Sequence, residues 1–144
     1  MHISQFSDYS LRILIFLAAS DDVASARSIA KSYGISFHHV AKAAQFLRRE
    51  GYVAATRGRA GGMWLAKPAE EISVGAVIRK SEEGNVALVE CMKPEGKRCA
   101  IVPVCRLASA LRKAQQAFFS TLDDISLADV TSNKPALRSL LFAA

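Results

Sequence analysis

Apolar residues recur at Leu11, Leu14, Ile15 and Ala18, the spacing of a helix that buries one face. This predicts a helix over 6–20, capped by Ser7, with Asp8 in the first turn where the positive end of the helix dipole favours a carboxylate. A second helix is predicted over 25–33: Ser25 caps it, Ile29 and Ala30 face inward, and Gly34 stops it. A third is predicted over 37–49, preceded by Ser36, ended by Gly51 and buried along Phe37, Val40, Ala44 and Leu47. Two helices joined by a short glycine-containing turn make a helix-turn-helix.

Beyond Gly51 the pattern changes. Residues 52–56 and 63–66 are strand-like and flank a glycine-rich tip at 57–62, which predicts a β-hairpin ended by Pro68. Three helices followed by a basic hairpin is the order of a winged helix-turn-helix. A short helix over 73–81 is expected to lead away from this unit. Residues 91–105 contain Pro94, Gly96 and Pro103 without a sustained period and are expected to form a loop. The strongest helical pattern covers 106–122, where Leu107, Leu111, Ala114, Phe118 and Leu122 form a stripe widened by Ala110 and Phe119. A long helix that follows a complete small domain has little of its own chain left to cover it, so pairing with a second copy is expected. In the tail, Ser126 with Asp129, and Asn133 before Lys134 and Pro135, mark two more helix starts.

The predicted fold class is mainly α with a small β-hairpin wing, a winged helix-turn-helix plus a long dimerisation helix. The expected division is a DNA-binding domain over 1–80, a cysteine-containing loop over 81–105, and a dimerisation helix with its tail over 106–144. A chain of 144 residues with 51% hydrophobic and 22% charged residues has material for one core, and is unlike disordered, collagenous or disulfide-dense sequences. The apolar run over 13–19 is too short to span a bilayer. Asp8 and Tyr9 stand where a signal peptide would carry its basic leader, so a cytoplasmic location without membrane contact is expected.

Charge sharpens the picture. The chain carries a formal +6, and the window from Lys42 to Lys67 holds six basic residues against the single acid Glu50. A block of one sign on a helix-turn-helix and its wing points to double-stranded DNA. The major groove admits a helix whose side chains offer donors and acceptors to base edges. The candidate contacts are Ser36, His38, His39, Lys42, Gln45, Arg48 and Arg49 on the third helix, with Arg57 and Arg59 in the wing.

All three cysteines, Cys91, Cys99 and Cys105, fall within fifteen residues. In a reducing compartment these are free thiols or ligands rather than disulfides. Three sulfurs suit a soft metal, but a tetrahedral zinc or an iron–sulfur cubane needs one more ligand, and the residues alone do not say which. Neighbouring Lys93, Lys97 and Arg98 favour the thiolate. The surrounding glycine, prolines and charges are unlike an apolar core that would merely bury cysteines. His38 and His39 have no carboxylate or thiol close in sequence to complete a metal site. No nucleophile–base arrangement is recognisable, Gly58 to Gly62 lacks the Lys-Ser/Thr ending of a phosphate loop, and Glu82-Glu83 and Asp123-Asp124 read as solvated pairs. An enzyme is not expected.

Four stretches carry a family resemblance: Phe6-Ser7-Asp8-Tyr9-Ser10-Leu11-Arg12, Arg57-Gly58-Arg59-Ala60-Gly61-Gly62, Cys99-Ala100-Ile101-Val102-Pro103-Val104-Cys105-Arg106-Leu107, and Leu122-Asp123-Asp124-Ile125-Ser126-Leu127-Ala128-Asp129. Together they resemble the Rrf2 family of bacterial winged-helix regulators, and within it the nitric-oxide-sensing repressors. The resemblance implies a homodimer on a pseudo-palindromic operator, with nitric oxide as signal. It also implies a [4Fe-4S] cluster held by Cys91, Cys99 and Cys105, with Asp8 of the other subunit as fourth ligand. Related members would read iron, cluster supply or redox state through the same cysteines, and a zinc- or thiol-based interaction protein is the alternative from a different class.

Overall fold

The computed structural model describes residues 2–56, 58, 61–83, 86–93, 95 and 99–142. Its elements run α1 (Gln5–Ala19), α2 (Ala26–Tyr33), α3 (Phe37–Arg49), β1 (Val53–Ala55), β2 (Met63–Leu65), α4 (Val74–Ser81), α5 (Arg106–Asp123), α6 (Leu127–Val130) and α7 (Lys134–Leu141). The mainly helical winged helix-turn-helix expected from the sequence is what forms.

Local signals account for α2 and α3. Ser25 and Ser28 cap each other's backbone reciprocally at the start of α2. The helix closes at Gly34, whose φ of +62° is a left-handed conformation that glycine adopts without a steric cost. β1 and β2 pair antiparallel with Ala54 opposite Trp64, and the Ala24 and Met63 backbones exchange hydrogen bonds of 3.0 and 2.8 Å. That exchange pins the root of the wing to the α1–α2 connection.

The main core joins α1, α2, α3, the wing root, α4 and α6. Ile13, Leu14, Ile29, Val40, Leu47, Ile72, Val77 and Leu127 are almost fully buried. Each contributes about 1.5–3 kcal/mol of apolar burial. A second cluster of Val74, Ile78 and Phe119, flanked by Phe118 and Leu122, fastens α5 to α4.

Several expectations are corrected. The α1 cap is Ser4, whose hydroxyl accepts the Ser7 amide at 3.2 Å. Ser7 itself is fully buried and donates to the Glu82 carboxylate. Glu82 is therefore not a solvated surface acid: at 7% exposure it also accepts the Ser4 amide at 2.6 Å, tying the end of α4 to the start of α1. Accordingly α4 does not lead away but packs between α1 and α5. Phe37 is 42% exposed rather than inward, because Ala43 and Phe46 join Val40, Ala44 and Leu47 in filling the buried face of α3.

The long helix is also less solitary than its stripe suggests. Its second half is covered by α4 of the same chain through Phe118, Phe119 and Leu122. Its first half is covered only at Ala108 and partly at Leu111, with Leu107 66% exposed and Val104 just before it 80% exposed. In the tail, the Ser126–Asp129 capping box forms, whereas Asn133 makes no side-chain cap to α7. Helix α7 returns to α1 and α2: the Phe142 ring lies 4.7 Å from Phe16, and Ser32 donates to the Leu141 carbonyl at 2.8 Å.

Candidate nucleic-acid interface and cysteine segment

Helix α3 starts after Ser36, which is extended and leaves its hydroxyl out of any cap, and it ends at Glu50. Because its buried face is filled by Val40, Ala43, Ala44, Phe46 and Leu47, all seven predicted contacts, Ser36, His38, His39, Lys42, Gln45, Arg48 and Arg49, are left exposed on one helix and its cap. Neighbours from α1 hold two of them. The His39 ring stacks on Tyr9 with centroids 5.7 Å apart and planes 25° apart, and the Lys42 ammonium lies 5.7 Å from the centre of the Phe6 ring.

The C-terminal end of α3 is electrostatically buffered. Glu50 takes Lys80 at 2.7 Å and Arg49 at 3.1 Å. The hydrogen bond from Lys80, then that from Arg49, holds the Glu50 carboxyl below its ordinary value. Lys80 is the basic group the sequence did not offer for this surface. It arrives from α4, thirty positions away in the chain, and no local pattern announces that contact. An open groove of about 1020 Å³ runs between α3 and the wing root, with Lys42, Arg48, Arg49 and Lys80 along it. In the wing, Gly61 donates to the Gly58 carbonyl at 2.9 Å. Arg57 and Arg59 lie outside the described residues.

The three cysteines are free. Cys91 is half-buried in a 3-10 turn spanning Glu90–Met92, and Cys99 is exposed. Cys105 follows a second 3-10 turn, Val102–Val104, and caps α5, its sulfur accepting the Ala108 amide at 3.4 Å. The ammonium of Lys93 goes to Glu90 at 2.8 Å, while Lys97 and Arg98 lie outside the described residues. Among the described residues no three His, Cys, Asp or Glu side chains gather closely enough to hold a metal ion. Asp8, on the first turn of α1, meets Arg12 instead, at 2.9 and 3.0 Å. That pair, together with the rings of Tyr9 and Tyr33 near the guanidinium, keeps Arg12 firmly charged, with its pKa above the ordinary value.

The family model described as Rrf2, iron-dependent transcriptional regulator, matches residues 3–133. This chain belongs to the Rrf2 family. Among curated Rrf2-like relatives, it is 43% identical to the HTH-type transcriptional regulator NsrR of Geobacillus kaustophilus (strain HTA426) over 143 residues, covering 98% of this chain and 97% of that protein. It is 39% identical to the NsrR of Bacillus subtilis (strain 168) with the same coverage. Of solved structures, that of CymR, the global cysteine regulator of B. subtilis, superposes with a TM-score of 0.72 at 29% identity, covering 92% of this chain and 98% of that one. As an Rrf2 protein the chain is a DNA-binding transcriptional regulator and not an enzyme. No helix among the described residues is long and apolar enough to cross a membrane.

Proposed function

We propose that this protein is a homodimeric repressor whose hold on a pseudo-palindromic operator depends on a [4Fe-4S] cluster and is relieved by nitric oxide. The observation that carries this reading is the position of the thiols. All three sit on the segment that joins the winged helix-turn-helix to α5, and the last of them caps that helix. The relatives named NsrR support the choice of signal.

The donor set fits an iron–sulfur group in its chemistry: three sulfurs from Cys91, Cys99 and Cys105 and an oxygen from Asp8. Among the described residues of one chain neither the three cysteines nor Asp8 are gathered into a site, and in this reading the segment closes around the group with Asp8 supplied by a second copy. When bound, the group supplies an iron whose oxygen ligand yields readily to a small diatomic molecule. The chain's own part is transmission. Cys105 is both a sulfur donor and the cap of α5, so a change at that sulfur acts directly on the helix. Helix α5 packs on α4, α4 on α1, and α1 on the recognition helix α3. Exposed Leu107 at the start of α5 and Val104 just before it offer apolar surface for the second copy. In a dimer, half-sites lie about one helical turn or a multiple of it apart, so a small rotation of the subunits loses register.

The test is anaerobic absorbance and iron analysis with operator binding, on wild type and on Cys99→Ala and Asp8→Ala. Expected are a brown protein with about four irons per chain, loss of the cluster in Cys99→Ala, a weakened one in Asp8→Ala, and loss of operator binding on adding nitric oxide. A colourless protein that binds zinc supports the zinc–thiol alternative. A cluster-loaded protein that binds its operator no better than the apo-protein overturns the switch. The exposure of Cys99 favours a second reading, in which the same cysteines report iron supply or redox state. In that case the loaded protein ignores nitric oxide but responds to chelator or oxidant.

A further inference from the structure

Phe37 is the first residue of the recognition helix and is 42% exposed. The guanidinium of Arg27, from α2, lies 5.3 Å from the centre of its ring, and the ring of His38 meets it edge-on at 5.8 Å. One side of the phenyl ring is thus braced by its neighbours while much of it faces outward, beside the exposed Ser36 and His38. A large apolar ring on the polar tip of a helix-turn-helix has no role in the fold's own core, whose buried face of α3 is already complete with Val40, Ala43, Ala44, Phe46 and Leu47.

From this placement we infer that Phe37 is a specificity-determining residue that reads the C5-methyl of a thymine. The inference rests on the DNA-binding role of α3. Base contacts in this motif come from the N-terminal residues of the recognition helix, which is where Phe37 stands. A phenyl ring has no donor or acceptor and cannot use the hydrogen-bonding pattern of the major groove. The one apolar group displayed there is the thymine methyl, which such a side chain contacts directly. Lys42, Arg48 and Arg49, further along the same helix, would contribute sequence-blind phosphate attraction, so Phe37 adds selectivity rather than overall grip.

Deoxyuridine tests this directly, because replacing thymine with it removes the methyl and nothing else. Full-length protein, prepared anaerobically, is used to select a tight-binding duplex from a randomised pool. Each thymine of that duplex is then replaced in turn. Wild type is expected to lose affinity roughly three- to fivefold for each methyl contacted by Phe37, the worth of one buried methyl, at one thymine position in each copy of the recognition sequence. Phe37→Leu, which keeps an apolar contact, should retain part of that sensitivity. Phe37→Ser should bind thymine and deoxyuridine alike at that position while keeping the wild-type dependence on salt. Because the ring is outside the core, both variants should melt with the wild type. A wild type indifferent to every replacement, or a Phe37→Ser variant as sensitive as wild type, overturns the role of Phe37. A wild type that prefers no duplex over another overturns the DNA-reading role of α3 itself, and the two failures are thereby distinguished.

Discussion

Gly75 of α4 lies against the backbone of Asp123 in α5, so closely that a β-carbon at position 75 would stand 2.6 Å from the Asp123 amide nitrogen and 2.8 Å from the Leu122 carbonyl carbon. Glycine is what lets the two helices meet. Gly75→Ala must push them apart, at a cost of about 1–3 kcal/mol, typical of overpacking. The expected outcome is a lower melting temperature, and an unchanged one would show that α5 is free to move away.

The buried link between α1 and α4 makes a second prediction. Ser7 donates to Glu82, and Ser81 donates to the Ser7 hydroxyl at 2.7 Å. Ser7→Ala removes one donor from a carboxylate that is 7% exposed. Denaturant unfolding should show a loss of about 1–3 kcal/mol, whereas Ser139→Ala, on the exposed side of α7, should be nearly neutral.

Tyr33 sets a limit on alkaline stability. Burial, against a smaller opposing effect of Arg12, pushes its phenol from the ordinary 10.0 up to about 12. The fold therefore keeps the proton that the unfolded chain gives up. Its contribution is full below pH 10 and is lost as the pH rises towards 12. Burial raises the Tyr52 phenol as well. Absorbance titration should therefore show two phenols ionising late, and Tyr33→Phe should remove one of them and flatten the fall in stability over that interval.

Arg12 competes for the carboxylate that the proposed cluster needs. The Asp8–Arg12 pair is part-exposed and one turn apart, so its removal costs α1 only about 0.3–0.5 kcal/mol. Arg12→Ala removes the ion pair that Asp8 makes among the described residues, and the anaerobic protein should release iron to a chelator more slowly than wild type. Faster release would mean that Arg12 orients Asp8 instead of restraining it.

Glu50 restrains two cations at the edge of the candidate DNA surface. Glu50→Gln frees Arg49 and Lys80 to meet phosphate. Non-specific duplex binding should tighten, and the slope of log affinity against log salt should steepen by about 0.9 for each new phosphate contact. An unaltered slope would place Lys80 off the path of the duplex.

The helix-turn-helix and its wing were legible in the chain because their determinants are local. The Ser25 cap and the Gly34 stop, the turn before Ser36, the change of period after Gly51 and the Ser126–Asp129 box each act within a few residues. The exposed row from His38 to Arg49 was legible for the same reason, since helical spacing assigns faces before any packing partner is known. The closeness of the three cysteines was visible along the chain only, and among the described residues their side chains are not gathered into one site.

What packing decided lies at long range. Ser7 looked like a cap and is a buried donor, because Glu82 reaches it from seventy-five positions away. Phe37 fitted the inward stripe and is exposed, because the face between α1 and α3 is filled without it. The second half of the long helix is covered by α4, since Gly75 admits α5 to contact distance, while Leu107 in the first half is left exposed. Periodicity states which side of an element is apolar. Only the tertiary structure states which other element covers it, because that depends on shape and on how closely two backbones can approach.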